Sequence, residues 1–231
     1  MKTNIENNKI SRKLVLGLSV MSALMSFSAS SAFLDYRQEY KHDQELWASK
    51  IKLGAGVGKH YFGVESQQKG HIFDDWKANV SEFEYGYRHT INENWRVIPA
   101  TLVTFTNSGV TYKPQVQVQY LFDSGVVTKL RYRHQFKDLV EKDNQQTSQV
   151  TANLAYNYNA FQFELSGNYW KSLDDIDMFN NKDSNWDANF KLGYREKDWS
   201  LRPYLELGNI SVSSDSSDRQ LRSRVGITYS F

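Results

Sequence analysis

The sequence predicts an all-β fold, a transmembrane antiparallel β-barrel of about twelve strands, on three observations. Apolar and polar side chains alternate with a period of two from Phe33 onward. The breaks between the alternating segments are by turns tight and long. The chain opens with a secretory leader.

The leader comes first. Lys2, Lys9, Arg12 and Lys13 form a basic start, and the apolar stretch Leu14–Phe27 follows. That stretch is too short to cross a bilayer as a helix, and Ser28-Ala-Ser-Ser-Ala32 supplies small residues for cleavage. Residues 1–32 therefore read as a signal peptide, cleaved after Ala32, and 33–231 as the mature barrel. A helical membrane anchor is the competing reading of the same stretch.

Losing the four basic residues and Glu6 leaves 24 basic and 25 acidic side chains, a near balance that gives no pointer to nucleic acid. Mean hydropathy is −0.62, which by itself suggests a water-soluble exported protein. A barrel escapes that test, because lipid-facing and lumen-facing residues cancel in any window. The 14 Tyr, 13 Phe and 6 Trp suit two aromatic girdles, and equally a carbohydrate-binding β-sandwich. Cysteine is absent, so no disulfide staples the fold.

The alternation is clearest over Val126–Lys137. Val126, Thr128, Leu130, Tyr132, His134 and Phe136 share one face; Val127, Lys129, Arg131, Arg133, Gln135 and Lys137 share the other. The same pattern sets Leu34, Tyr36 and Tyr40 against Asp35, Arg37 and Glu39, and Trp47, Ile51 and Leu53 against Lys50 and Lys52. It sets Phe83, Tyr85 and Tyr87 against Glu82, Glu84 and Arg88, and Leu221, Val225, Ile227, Tyr229 and Phe231 against Arg222, Arg224, Thr228 and Ser230. Twelve such segments follow one another, an even number as single-chain bacterial barrels have.

Tight breaks are expected at Gly54–Gly58, Asn92–Asn94, Asp123–Gly125, Asn159–Ala160 and Glu196–Asp198. Longer polar breaks are expected at Lys69–Asp75, Asp138–Gln146, Ser172–Ser184 and Ser213–Asp218, with short exceptions at Lys41–Asp43 and Asn107–Gly109. Short periplasmic turns and longer outer loops produce this rhythm. Pro99, Pro114 and Pro203 fall inside strands, where each removes a ladder donor; Pro99 and Pro203 are expected to mark bulges near the periplasmic rim.

In lipid the apolar face must point outward, so the charged face lines the lumen. Arginine offers a planar fork of donors that fits a carboxylate at two points. A pore lined by such forks lowers the entry barrier for carboxylated solutes. The side chains expected to line the pore and meet solute are Arg131, Arg133, Arg222, Arg224, Arg37, Lys129, Arg202, Arg195, Lys50 and Lys52. A lumen of mutually paired, merely solvated charges is the plainer reading. Tyr61 and Tyr204 are candidates for stacking on sugar rings or for simple filling. His42, His60, His71, His89 and His134 show no metal spacing and no nucleophile motif, so the chain predicts no enzyme, no metal and no cofactor.

Arg202-Pro-Tyr-Leu-Glu-Leu-Gly-Asn209, Asp218-Arg-Gln-Leu-Arg-Ser-Arg-Val-Gly-Ile-Thr-Tyr-Ser-Phe231, Leu130-Arg-Tyr-Arg-His-Gln-Phe-Lys137 and Leu34-Asp-Tyr-Arg-Gln-Glu39 resemble the oligogalacturonate-specific porins of the KdgM type, which have sialic-acid porin relatives. Residues 41–120 and the loops are similar only in pattern. The resemblance implies a monomeric barrel in the outer membrane of a Gram-negative bacterium, with basic tracks facing each other across a narrow lumen. It places Arg131, Arg133, Arg222 and Arg224 in those tracks, and Arg37 beside them. It implies acidic oligosaccharides as solute, outer-membrane lipids as surroundings, and delivery to the barrel assembly machinery through Phe231. A porin for sialic acid or another acidic monosaccharide, and a secreted carbohydrate-binding sandwich, are the rival readings.

Overall fold

The computed structural model describes residues 31–70, 77–140 and 142–231. Most of the expected signal peptide, His71 and the centre of the expected loop at 69–75 lie outside the described residues.

Alternating β-branched and aromatic residues suit a pleated surface, and they form β1 (Ser31–Lys41), β2 (Leu46–Val57), β3 (His60–Lys69) and β4 (Lys77–Tyr87, resumed at His89–Thr90). β5 (Trp95–Thr106), β6 (Gly109–Leu121), β7 (Val126–Leu139) and β8 (Gln145–Tyr158) follow. β9 (Phe161–Ser172), β10 (Ser184–Tyr194), β11 (Leu201–Ser211) and β12 (Arg219–Ser230) complete the chain. Each strand pairs antiparallel with its sequence neighbours, β1 pairs with β12, and β4 pairs with β5, so the sheet closes on itself. The structure is thus a closed twelve-strand barrel, which removes the sandwich reading: among the described residues there is no second sheet for an apolar face to pack on.

Closure leaves the apolar face outside. Val225 is 61% exposed and Leu130 58%, although both are large and apolar. Aromatic clusters ring both ends of this surface. Trp95, Tyr120 and Phe122 meet edge to face at 4.7 and 4.6 Å near the turn side, and Tyr40 and Trp47 meet at 4.6 Å near the loop side. Amphipathic rings at the two interfaces are the girdles of a membrane barrel.

Three local expectations are corrected. The run Gly54–Gly58 is not all turn: β2 continues to Val57, and only Gly58, at φ +58°, and Lys59 turn the chain. Gly54 is in the strand, paired with Phe33 and Gly63, and the Phe33 ring from β1 lies over it, 2.3 Å from where a Cβ would stand. Pro99 and Pro203 are not bulges. Pro99 pairs with Val116 in unbroken register, and on its other side the β4–β5 ladder pauses between Gly86↔Ala100 and His89↔Val97 without shifting. Pro203 pairs with Ile227, just beyond Gly193↔Tyr204, the last rung of the β10–β11 ladder. Pro114 likewise sits in a gap between Tyr112↔Phe136 and Gln115↔Arg133. A residue without an N–H drops rungs on one side, and none of these positions needs an inserted residue to accommodate it. The β1 strand begins at Ser31, two residues ahead of the expected mature start.

Candidate functional site

Paired residues on antiparallel strands share a face, so the register shows which side chains enter the lumen. Asp35, Arg37 and Glu39 of β1 lie opposite Lys52, Lys50 and Ala48 of β2. Arg224 lies opposite Glu39 and Glu206, and Arg202 opposite Thr228. On β7, Arg133, Arg131 and Lys129 lie opposite Gln149, Thr151 and Asn153. Nine of the ten candidate cations therefore share the face away from the exposed apolar residues. Arg195 does not. It follows the last residue of β10, is exposed, and its Nε donates to the Trp199 carbonyl at 3.0 Å. Turn geometry overrides parity there, because the alternation stops where the strand does.

The lumenal cations fall into two electrostatic classes. Those of β2, β6 and β12 are matched to carboxylates. Lys50 reaches Glu65 at 2.8 Å, Lys52 reaches Glu84 at 2.7 Å, and Lys113 reaches Glu82 at 2.8 Å. Arg224 donates through Nε to Glu39 at 2.7 Å and through Nη1 to Glu206. Arg222 is more loosely held, 4.0 Å from Glu39 and 3.8 Å from Asp187, with Nη2 donating to Asn189 at 2.6 Å.

The second class is free of acids within ion-pair distance among the described residues. Arg131 donates to the Thr151 hydroxyl at 2.9 Å, and Arg133 to Gln115 at 2.8 Å. Arg202 donates to Gln162 at 2.7 Å. The Nε of Arg37, Arg131, Arg202 and Arg222 are buried with no hydrogen-bond acceptor in the structure. In the ring of twelve, β7 stands six strands from β1 in either direction, so the Arg131/Arg133 pair faces the β1–β12 wall.

Lumenal glycines let these side chains reach past a neighbouring strand. A Cβ at Gly63 would stand 3.3 Å from both Lys52 Cε and Glu84 Oε2, so its absence allows the Lys52–Glu84 pair to bridge β2 and β4 over β3. A Cβ at Gly208 would lie 2.4 Å from Asn189 Oδ1, on the route by which Arg222 crosses β11. A polar belt runs round the wall between the two tracks: Arg131 donates to Thr151, Thr151 to Asn168, and Asn168 to Asp187.

The two tyrosines are fillers. The Tyr61 ring lies over Gly86, and the Tyr204 ring over Gly226. Tyr204 also donates to Asp35 at 3.1 Å, and Lys191 sits 4.0 Å from its ring centroid. Lys41 and Trp170 are lumenal residues that escaped the sequence reading. Lys41 was placed in a break, yet it continues β1 two positions beyond Glu39; Trp170 stands on the Asn168 face of β9. Parity marks both.

Comparison with known proteins agrees with this architecture. The chain is 28% identical over 229 residues to the uncharacterized protein YiiY of Salmonella typhimurium, covering 93% of this chain and 96% of that protein. It is 26% identical over 238 residues to the oligogalacturonate-specific porin KdgM of Dickeya dadantii, covering 95% and 100%. It is 23% identical over 136 residues to the N-acetylneuraminic acid outer membrane channel protein NanC of Escherichia coli K12, covering 57% of each. The solved NanC porin shares the fold, with a TM-score of 0.75 at 19% identity over 85% of this chain and 98% of that one. The family model of the oligogalacturonate-specific porin protein matches residues 25–231, a span that contains every strand of the barrel. The chain belongs to the KdgM family of outer-membrane porins.

Proposed function

We propose that this porin admits acidic oligosaccharides, oligogalacturonides foremost, by passive diffusion through the outer membrane of a Gram-negative bacterium, and that it works as a monomer and not as an enzyme. The observation that carries this reading is the acid-free pair Arg131 and Arg133 facing a wall whose cations are mostly paired. Unspent guanidinium donors in a confined lumen attract carboxylates, and several weak contacts let each one leave again. Arg37, Arg202, Arg222 and Lys129 extend the same attraction; Lys50, Lys52 and Arg224 act mainly by holding the acids. Residues 1–32 are removed on export, and Phe231 serves delivery to the assembly machinery. Its amide donates to the Ala32 carbonyl at 3.0 Å, a bond that cleavage after Ala32 would remove, so amino-terminal sequencing of the outer-membrane fraction decides between Phe33 and an earlier start.

A smaller acidic sugar is the second reading, favoured by the likeness to the N-acetylneuraminic acid channel NanC. Planar-bilayer recordings with galacturonate oligomers and sialic acid side by side test both. Longer blocks by the oligomers are expected. Equal or longer blocks by sialic acid would favour the second reading, and no block by either would overturn both.

A further inference from the structure

One lumenal aromatic is not engaged by the protein. Trp170 pairs with Gln149 and Asn185 near the outer end of β9 and β10, on the lumenal face. Among the described residues its indole makes no ring, cation–π or hydrogen-bond contact. Tyr61 and Tyr204, by contrast, are pressed onto glycines. Trp170 borders a cavity of about 340 Å³ at the outer mouth. That lies at the small end of the range of ligand pockets, about 300–1,000 Å³. Met178, from the loop after β9, lies beside it; Lys41, Gln135, Lys137 and Arg222 supply a mainly cationic polar side, with the Asp187 carboxylate 3.8 Å from Arg222.

This cavity is built rather than incidental. The loop carrying Met178 is pinned to the loop before β12: the Asn180 amide donates to the Ser216 carbonyl at 3.2 Å, and the Asn181 amide to the Ser214 carbonyl at 3.0 Å. Arg219 lies against the adjacent Phe179, 5.1 Å from its ring centroid, while its Nη2 holds the Trp186 and Asn209 carbonyls at 2.8 and 2.9 Å. Lys41 and Lys137 line the cavity with no ion-pair partner among the described residues, and Arg222 is held only loosely, 4.0 Å from Glu39 and 3.8 Å from Asp187.

We infer that this cavity is a capture subsite for one acidic pyranose ring, ahead of the arginine tracks. The apolar C–H face of the sugar lies on the Trp170 indole, flanked by the Met178 thioether. Its carboxylate meets the ammonium groups of Lys41 and Lys137 and the guanidinium of Arg222, and a hydroxyl meets the Gln135 amide. An aromatic face with a few convergent polar groups is the usual composition of a sugar-sized site. The inference rests on the acidic-sugar reading above, and adds to it a ring-stacking contact that charge alone does not provide.

The test is single-channel recording of the full mature barrel with galacturonate trimer on the loop side, comparing wild type with Trp170→Ala, Trp170→Phe and Lys41→Gln/Lys137→Gln. Heat-modifiable migration on gels verifies that each variant is folded. Trp170→Ala is expected to shorten each block by about three- to tenfold, the size of one aromatic contact. Trp170→Phe should restore most of it, and the lysine variant should shorten the block by acidic but not by neutral trimers. An unchanged block in folded Trp170→Ala, with wild type blocked normally, would overturn the subsite and leave the acidic-sugar reading standing. A wild-type channel that no acidic sugar blocks would overturn both.

Discussion

At the scale of single residues, the arginines of the lumen are not equivalent. Arg224 spends its donors on Glu39 and Glu206, whereas Arg131 and Arg133 rest on a hydroxyl and an amide. Arg131→Gln with Arg133→Gln should therefore shorten blocks by acidic oligosaccharides and leave stability to denaturant nearly unchanged. Arg224→Gln should do the reverse: it strands two carboxylates at a cost of about 1–3 kcal/mol, while removing few donors that a solute can use. Paired bilayer recordings and denaturant titrations of the two variants separate these outcomes; a matching loss of block in both would mean that the ion pairs do not sequester Arg224. A second residue-scale prediction concerns Gly86. A Cβ there would stand 2.2 Å from the Tyr61 ring, so Gly86→Ala should destabilise the barrel by about 1–3 kcal/mol, as overpacking does. The double variant Gly86→Ala/Tyr61→Ala should recover part of that loss in the same titration, since the clash is gone.

At the scale of the strand, the facing assignment has energetic consequences. Leu130 and Val225 sit near the middle of β7 and β12 and point to lipid. Replacing either by Arg should cost about 2–4 kcal/mol if the side chain sits at the bilayer midplane. Gln117, opposite Arg131 on the lumenal face, should tolerate Arg at a much smaller cost. Refolding titrations into lipid vesicles measure all three, and equal penalties would refute the assignment. The strands themselves were legible because a period of two is a local property: residues such as Tyr132 and Arg133 declare opposite faces whatever surrounds them. The prolines were less legible. Sequence shows that Pro99 must lose a rung, but the way its partner strand adjusts depends on β4, and there the ladder pauses without a bulge.

At the scale of the whole molecule, closure turns a stripe of charge into a lined pore. The net charge of +2 for the full sequence conceals this, since the acids lie chiefly against the β2, β6 and β12 cations and leave the β7 arginines without an ion pair. Salt-gradient recordings should therefore give a reversal potential of the anion-selective sign, falling as salt rises. The Debye length shrinks from about 10 Å at 0.1 M to about 3 Å at 1 M, and at the higher concentration the β7 pair no longer acts across the lumen. A reversal potential of cation-selective sign at low salt would show that the acids of β3 and β4 dominate the field instead.

The sequence by itself determined the barrel, its strand count, the direction of nearly every side chain and the set of cations from which the pore is lined, because each of these follows from alternation and from turn chemistry along the chain. It also carried the family likeness, in the segments around Arg131 and Arg222. Tertiary structure alone decided which of those cations are free. Lys52 finds Glu84 over Gly63, and Arg222 finds Asn189 over Gly208, on strands two removed in the ring. Such partners depend on register and on the missing side chain of the strand between, which alternation does not encode. The same reason separates Tyr204, covered by Lys191, from Trp170, left open at the outer mouth. Both are aromatic residues on a lumenal face, and only the packing around them assigns one to the wall and the other to the pore.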